Sequence, residues 1–281
     1  MFKTKASIDR FYHILGSVVL FILIFWTLAP LYWMITTSLK ETSEVYGEGV
    51  TLWPSKPTLE NYRVLFAETN FLTYFRNSLL VALGTTLLSL IFAALGAYAL
   101  TRLDFPGRRV FARSLVYTYL MPHSMLFIPL LAIVLRIGLE NSLHGLVFVY
   151  LGFTVPFCTW LLMGYFMSIP VELEDAAMVD GCSRLGVLFR IILPITVPAL
   201  AVVAFFSFTL SWNEYIYASV LVTDVSARTI PTGIPLFIVE DVFFWGPMMA
   251  STFLSAIPPL IVYFIFQRFL ITGLTMGAVK G

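Results

Sequence analysis

Six long apolar stretches constrain this 281-residue chain more than anything else it contains, at approximately 12–37, 73–101, 111–137, 143–167, 194–222 and 249–271. A helix rises ~1.5 Å per residue, so about 20 apolar residues cross the ~30 Å hydrocarbon layer of a bilayer. Each stretch reaches that length, and the sequence therefore predicts an all-α membrane protein of six transmembrane helices. Pro30, Pro122, Pro129, Pro156, Pro198, Pro258 and Pro259 fall inside the stretches. A bundle tolerates such prolines because neighbouring helices re-satisfy the freed backbone groups. The composition agrees, being 59% hydrophobic and 12% charged, against about 45–50% and 25% in soluble domains. Lys3, Lys5 and Arg10 give the first stretch the basic flank of a signal peptide, but it is too long and lacks a small-x-small cleavage site, so a retained first helix is expected.

Basic residues orient the helices. With the N-terminus inside, the inner segments and helix ends hold Lys3, Lys5, Arg10, Arg102, Arg108, Arg109, Arg113, Arg184, Arg190, Arg268 and Lys280, eleven of the 17. The outer ones hold the other six, Lys40, Lys56, Arg63, Arg76, Arg136 and Arg228. This excess predicts that both termini are cytoplasmic. A formal charge of +1 argues against a nucleic-acid partner, which calls for a clustered basic surface. Cys158 and Cys182 have neither metal spacing nor a paired framework and read as free thiols; no metal site is expected.

Between the fourth and fifth stretches lies a polar, patterned segment, 168–193. Leu173, Ala176, Ala177 and Asp180 share one helical face, with Glu172, Glu174 and Asp175 around its sides. Gly181 breaks this helix. Leu185, Leu188, Phe189, Ile192 and Leu193 then make a second apolar stripe, with Arg184 and Arg190 off it, until Pro194. The residues Asp175, Ala176, Ala177, Gly181, Ile191, Leu193 and Pro194 closely resemble the cytoplasmic coupling loop of ATP-binding-cassette importer permeases. That pattern is acid-Ala-Ala, three residues, Gly, nine residues, Ile, one residue, Leu-Pro. Asp175 stands where glutamate is usual, keeping the charge but shortening the reach.

Other stretches resemble the carbohydrate branch of that family, the maltose type. They are Thr37-Ser38-Leu39-Lys40, Leu52-Trp53-Pro54 and 57–62 in the first outer loop, Asn77-Ser78-Leu79, Ala97-Tyr98-Ala99-Leu100 with Arg102, 105–108, Trp212-Asn213-Glu214, and a glycine-rich tail, 272–281. The resemblance implies a type I importer permease fold over a single domain, 1–281, with a cytoplasmic coupling helix, in a prokaryotic inner membrane. It implies a second, different permease, two ATPase subunits (a homodimer or a pair), an extracytoplasmic solute-binding protein and a sugar substrate. In this picture Glu174, Asp175, Ala176, Ala177, Asp180, Gly181, Arg184, Leu193 and Pro194 couple to the ATPase, the acids pairing with its arginines. The tail residues Gly277, Ala278, Val279, Lys280 and Gly281 contact it as well.

This chain is not expected to hydrolyse ATP or bind a cofactor. Gly181 and Gly186 have the gap of a phosphate loop, but Val187 and Leu188 stand where Lys and Ser/Thr are required. ATP and Mg2+ belong to the partner subunits. The substrate path is read from fewer signals. His123, at membrane depth after Pro122, is a candidate for the cavity or gate, since burying an ionisable group in lipid is costly. The competing reading is a neutral imidazole bonding a carbonyl freed at the proline kink. Tyr119, Ser124, Tyr150 and Thr154 are candidate hydroxyls for a polyol, against ordinary packing. Trp212, Asn213 and Glu214 are candidates for the outer gate or loop scaffold, at a depth where aromatics anchor at the interface. No Lys or Arg lies deep in the six stretches, which favours a neutral solute. Two alternatives stand beside the importer of sugars: the same architecture carrying glycerol phosphate or a polyol, and an ATP-independent secondary carrier.

Overall fold

The computed structural model describes residues 5–47, 49–121, 125–239 and 242–278, with side chains described from Asp9 to Phe269 within them. It contains two compact units, 1–70 with 236–256, and 71–235 with 257–281.

The first unit is led by helix α1 (Lys5–Ser38), apolar on all sides and exposed along its apolar length. Such a helix is stable only with lipid or another chain around it. Its last turn is finished from elsewhere. The Asn61 amide, on α2 (Glu60–Glu68), donates to the Ser38 and Lys40 carbonyls at 3.0 and 2.9 Å. Any side chain at position 246 would run into Asn61, so only glycine fits there. The Lys40 ammonium donates to the Thr51 carbonyl at 2.6 Å and lies 4.9 Å over the Trp33 ring. A short antiparallel pair, β1 (Ile238–Val239) and β2 (Val242–Phe243), is joined to the loop between α1 and α2 by a hydrogen bond from the Tyr46 hydroxyl to the Phe243 carbonyl.

Glu44 folds this loop. Its carboxylate accepts from the Thr51 hydroxyl at 2.6 Å and from the Ser55 amide at 3.1 Å, and the Thr51 bond holds its pKa below the usual carboxylate value. A carboxyl whose pKa is lowered on folding contributes stability above its unfolded pKa and loses it as pH falls through the folded one. Amide exchange at 51–55 is therefore expected to speed up on going from pH 6 to below about 4, beyond the intrinsic pH trend, and Glu44→Gln should remove the difference.

The second unit is built on α3 (Phe71–Arg102) lying along α6 (Leu143–Met167), with α9 (Val197–Trp212) against both. Ser89, Ala93, Ala94 and Ala97 line the buried face of α3. Small residues let two backbones approach closely, and close packing is what holds helices together where lipid is as apolar as the core. The Ser89 and Thr154 hydroxyls bond across the interface at 2.7 Å. One apolar core, with Cys158, Leu162, Phe166, Val187, Leu188, Ile192 and Val203, sits at the coupling-loop end. A second, with Val81, Val134, Leu146, Val149 and Tyr217, sits at the other. There the Asn77 amide donates to the Ser226 and Arg228 carbonyls, both at 2.8 Å, and the Ser78 hydroxyl accepts from the Ile230 amide. These bonds pin the segment 226–230 to α3.

The six expected spans are not six continuous helices. Among the described residues four helices are long and apolar enough to cross a membrane, in α1, α3, α6 and α11 (Trp245–Ala278). The third stretch is divided into α4 (Arg108–Leu120) and α5 (Phe127–Arg136). Met121 is extended, at φ −70° and ψ 130°, because the Pro122 ring disfavours helical backbone at the residue before it. The fifth stretch is broken twice. Helix α8 (Arg184–Ile195) meets α9 at 82° across Thr196, making a fifth span if the pair counts as one, and α10 (Ile216–Leu221) follows after a gap at 213–215.

Candidate coupling site

The polar segment folds as expected in outline and differently in detail. Helix α7 (Glu172–Val179) carries Glu172, Glu174 and Asp175 in its first turn, where the helix dipole favours negative charge. It ends in a tight reversal. The Cys182 amide returns to the Ala177 carbonyl at 2.9 Å, and Gly181 takes φ +87°. A side chain there would meet nothing within 4 Å, so the requirement for glycine is one of backbone conformation rather than space. The Ser183 hydroxyl then accepts from the Gly186 amide at 3.1 Å, capping α8.

The faces differ from the sequence reading. Of Leu173, Ala176, Ala177 and Asp180, only Ala177 is buried; Leu173, Ala176 and Asp180 are exposed. The second inward residue of α7 is Glu174, three positions earlier. The cause is electrostatic. Arg102, the last residue of α3, meets the Glu174 carboxylate through Nε, with side chains 9% and 4% exposed. Its Nη2 donates to the Phe166 carbonyl at 2.7 Å and the Ile169 carbonyl at 2.8 Å, and the Tyr98 hydroxyl donates to the other Glu174 oxygen at 3.3 Å. A charge with such partners goes inside where a leucine was expected. Within this chain the partner of Glu174 is thus Arg102.

The second stripe is also turned. Val187, Leu188 and Ile192 are buried, Leu193 is half-buried, and Leu185 and Phe189 are exposed. Residues Leu188–Ile192 form a π turn, in which the Leu193 amide reaches back to the Leu188 carbonyl. Pro194 has no N–H to offer and would crowd the Arg190 carbonyl in a regular helix. One extra residue in the turn relieves the crowding and rotates the stripe. What remains outside is Glu172, Leu173, Asp175, Ala176, Met178 and Val179 on α7 and Asp180 at its end, with Arg184, Leu185, Phe189 and Arg190 on α8. Val179 is 87% exposed. Apolar groups this close together, rimmed by charges, form a surface of the kind that meets a protein or a membrane.

Among the described candidate path residues, Tyr150, Thr154 and Glu214 are joined by hydrogen bonds. Tyr150 and Thr154 are fully buried. The Tyr150 hydroxyl donates to Glu214 at 3.0 Å, and Thr154 bonds Ser89 and the Tyr150 carbonyl. Glu214 also accepts from the Tyr217 and Ala218 amides at 3.0 and 3.1 Å, so it caps α10. Trp212 is in the core rather than at the lipid interface, because Phe208 one turn earlier stacks on it at 5.6 Å and Phe75 meets its edge at 5.7 Å. The Asn213 amide donates to the Thr209 carbonyl. Tyr119 stacks on Phe157 at 4.8 Å and is partly exposed. His123 and Ser124 lie outside the described residues, as do Val279, Lys280 and Gly281 and the side chains from 270 on, Ala278 included. Sequence reasoning missed Arg102 as part of the site. Its signal was a lone arginine closing an apolar helix.

Residues 91–276 match the family described as binding-protein-dependent transport system inner membrane component. The chain is 35% identical to the inner membrane ABC transporter permease protein YcjP of Escherichia coli, over the whole of both chains. It is 36% identical to the trehalose/maltose transport system permease protein MalG of Thermococcus litoralis over 99% of each. Its fold matches a chain of a crystallised bacterial ABC transporter involved in the import of the acidic polysaccharide alginate. That match has a TM-score of 0.83 and 25% identity, and covers 95% of this chain and 99% of that one. The architecture is thus the type I importer permease fold.

Proposed function

Because the chain belongs to the family of inner-membrane components of binding-protein-dependent transport systems, we propose that it is one of two different permease subunits of an ATP-driven importer of a sugar or oligosaccharide. Two ATPase subunits with their ATP and Mg2+, and an external solute-binding protein, complete the assembly, and both termini face the cytoplasm. The observation that carries this reading is the exposed acidic and apolar surface of α7 on a base tied to α3 and α6. A short helix passes on a rigid-body motion only when its outer face is free to be gripped and its inner face is fixed. Asp175, Asp180 and Arg184 supply charges for the grip, and Ala176 lets a partner approach closely. The tail from Gly277 to Gly281 adds a second contact with the ATPase. Tyr119, His123 and Ser124 remain candidates for the path, whereas Tyr150, Thr154 and Glu214 serve it through packing. The sugar class rests on the maltose and alginate relatives.

The assembly purified from native membranes and placed in vesicles should take up labelled maltose or a short oligosaccharide only with ATP inside and the binding protein outside. Uptake by this chain alone would replace the importer with a secondary carrier. Uptake of glycerol phosphate in preference to saccharides would change the cargo. Gly181→Val forces a β-branched residue into left-handed backbone, at about 1–2 kcal/mol, and so re-aims α7. Its membrane insertion should survive, while ATP-driven uptake falls severalfold; unchanged uptake counts against the role of the turn.

A further inference from the structure

We infer that Arg102 is a positioning residue which, through Glu174, locks the coupling helix to the ends of two membrane helices, so that α3, α6 and α7 move as one body. This rests on the importer reading above. One guanidinium at the end of α3 holds the last turn of α6 through the Phe166 carbonyl, the connecting turn through the Ile169 carbonyl, and the first turn of α7 through Glu174. Tyr98, one turn earlier on α3, takes the second Glu174 oxygen.

Stability alone does not call for such an arrangement, since a buried ion pair is often matched or exceeded by apolar residues of the same size. Direction does. Apolar contact is nearly indifferent to sliding and rolling, whereas charge-assisted bonds hold their angles. Helix α7 has eight residues and buries only two, Glu174 and Ala177. The pair with Arg102 is its sole charged link to the helices behind it among the described residues. With a methyl group as its only other inward side chain, an α7 lacking this link would roll when pulled by its exposed face, and the pull would not reach α3.

The test uses the whole assembly with Arg102→Met and Glu174→Met combined, which removes the directional link without leaving a buried charge. Two readouts apply. Solute imported per ATP hydrolysed is expected to fall about tenfold, within the range of known coupling effects. Hydrogen exchange is expected to show ATP-dependent changes at 172–180 and 96–102 together in the wild type, and at 172–180 alone in the double variant. A wild-type import ratio with both segments still responding together would overturn the inference. Where the double variant does not assemble, Glu174→Gln serves instead: a lowered ratio supports the link and a wild-type ratio overturns it. A wild-type assembly that imports no saccharide fails the transport reading, not this one, because the exchange readout is independent of the solute.

Discussion

Arg102→Met alone is expected to destabilise the folded chain far more than the paired Arg102→Met/Glu174→Met change. Removing the guanidinium leaves Glu174 as an uncompensated charge, in a site where its side chain is 4% exposed. Breaking a buried pair from one side costs about 3–5 kcal/mol, whereas replacing both partners by apolar groups is often close to neutral. The double variant still removes the Arg102 donor from the Phe166 and Ile169 carbonyls, of which Phe166 keeps the Ile169 amide. Each such loss amounts to ~0.5–1.5 kcal/mol, so recovery should be large but incomplete. Thermal or denaturant unfolding of the purified protein in detergent would read the order: wild type, then the double variant, then the single. A single variant no less stable than the double would mean that Glu174 reaches water or another partner once Arg102 is gone.

The same pair shows where sequence reasoning stops. Apolar length is a local property, so α3 and α6 were found within two residues of their ends. The end of α6 is further marked by Ser168 and Pro170, and its start by Ser142, whose hydroxyl accepts from the Gly145 amide. The turn at Gly181 was legible because only glycine takes its backbone angle without penalty. The break at Met121 was written in Pro122 but outweighed by the apolar run around it. Arg102 and Glu174 are 72 residues apart, and nothing local says that they meet. Periodicity therefore put Leu173 inside, and a contact set by tertiary packing put Glu174 there. The π turn before Pro194 was hidden in the same way: the proline was visible, but not which of two repairs, kink or bulge, the chain would take. Trp212 looked like an interfacial anchor because Phe75, which meets its edge, lies on another helix, and only the Phe208 contact one turn earlier is local.

Glu214→Ala should produce the second large loss, and its pattern separates scaffold from substrate contact. The carboxylate caps α10 through two amides and receives the Tyr150 hydroxyl, which is fully buried. Loss of a cap costs ~1 kcal/mol, and an orphaned buried hydroxyl about 1–3 kcal/mol more. A total of roughly 2–4 kcal/mol is expected. Tyr150→Phe removes the orphan. In the Glu214→Ala background it should therefore cost little or even restore stability, while in the wild type it costs about 1 kcal/mol. That non-additivity is the signature of one shared bond. Transport gives the second reading. If Glu214 and Tyr150 act through packing, the folded fraction of each variant should import with the wild-type KM, and only the amount of active assembly should drop. A KM raised in Tyr150→Phe, with stability nearly intact, would instead put that hydroxyl in contact with the solute during transport and return both residues to the path.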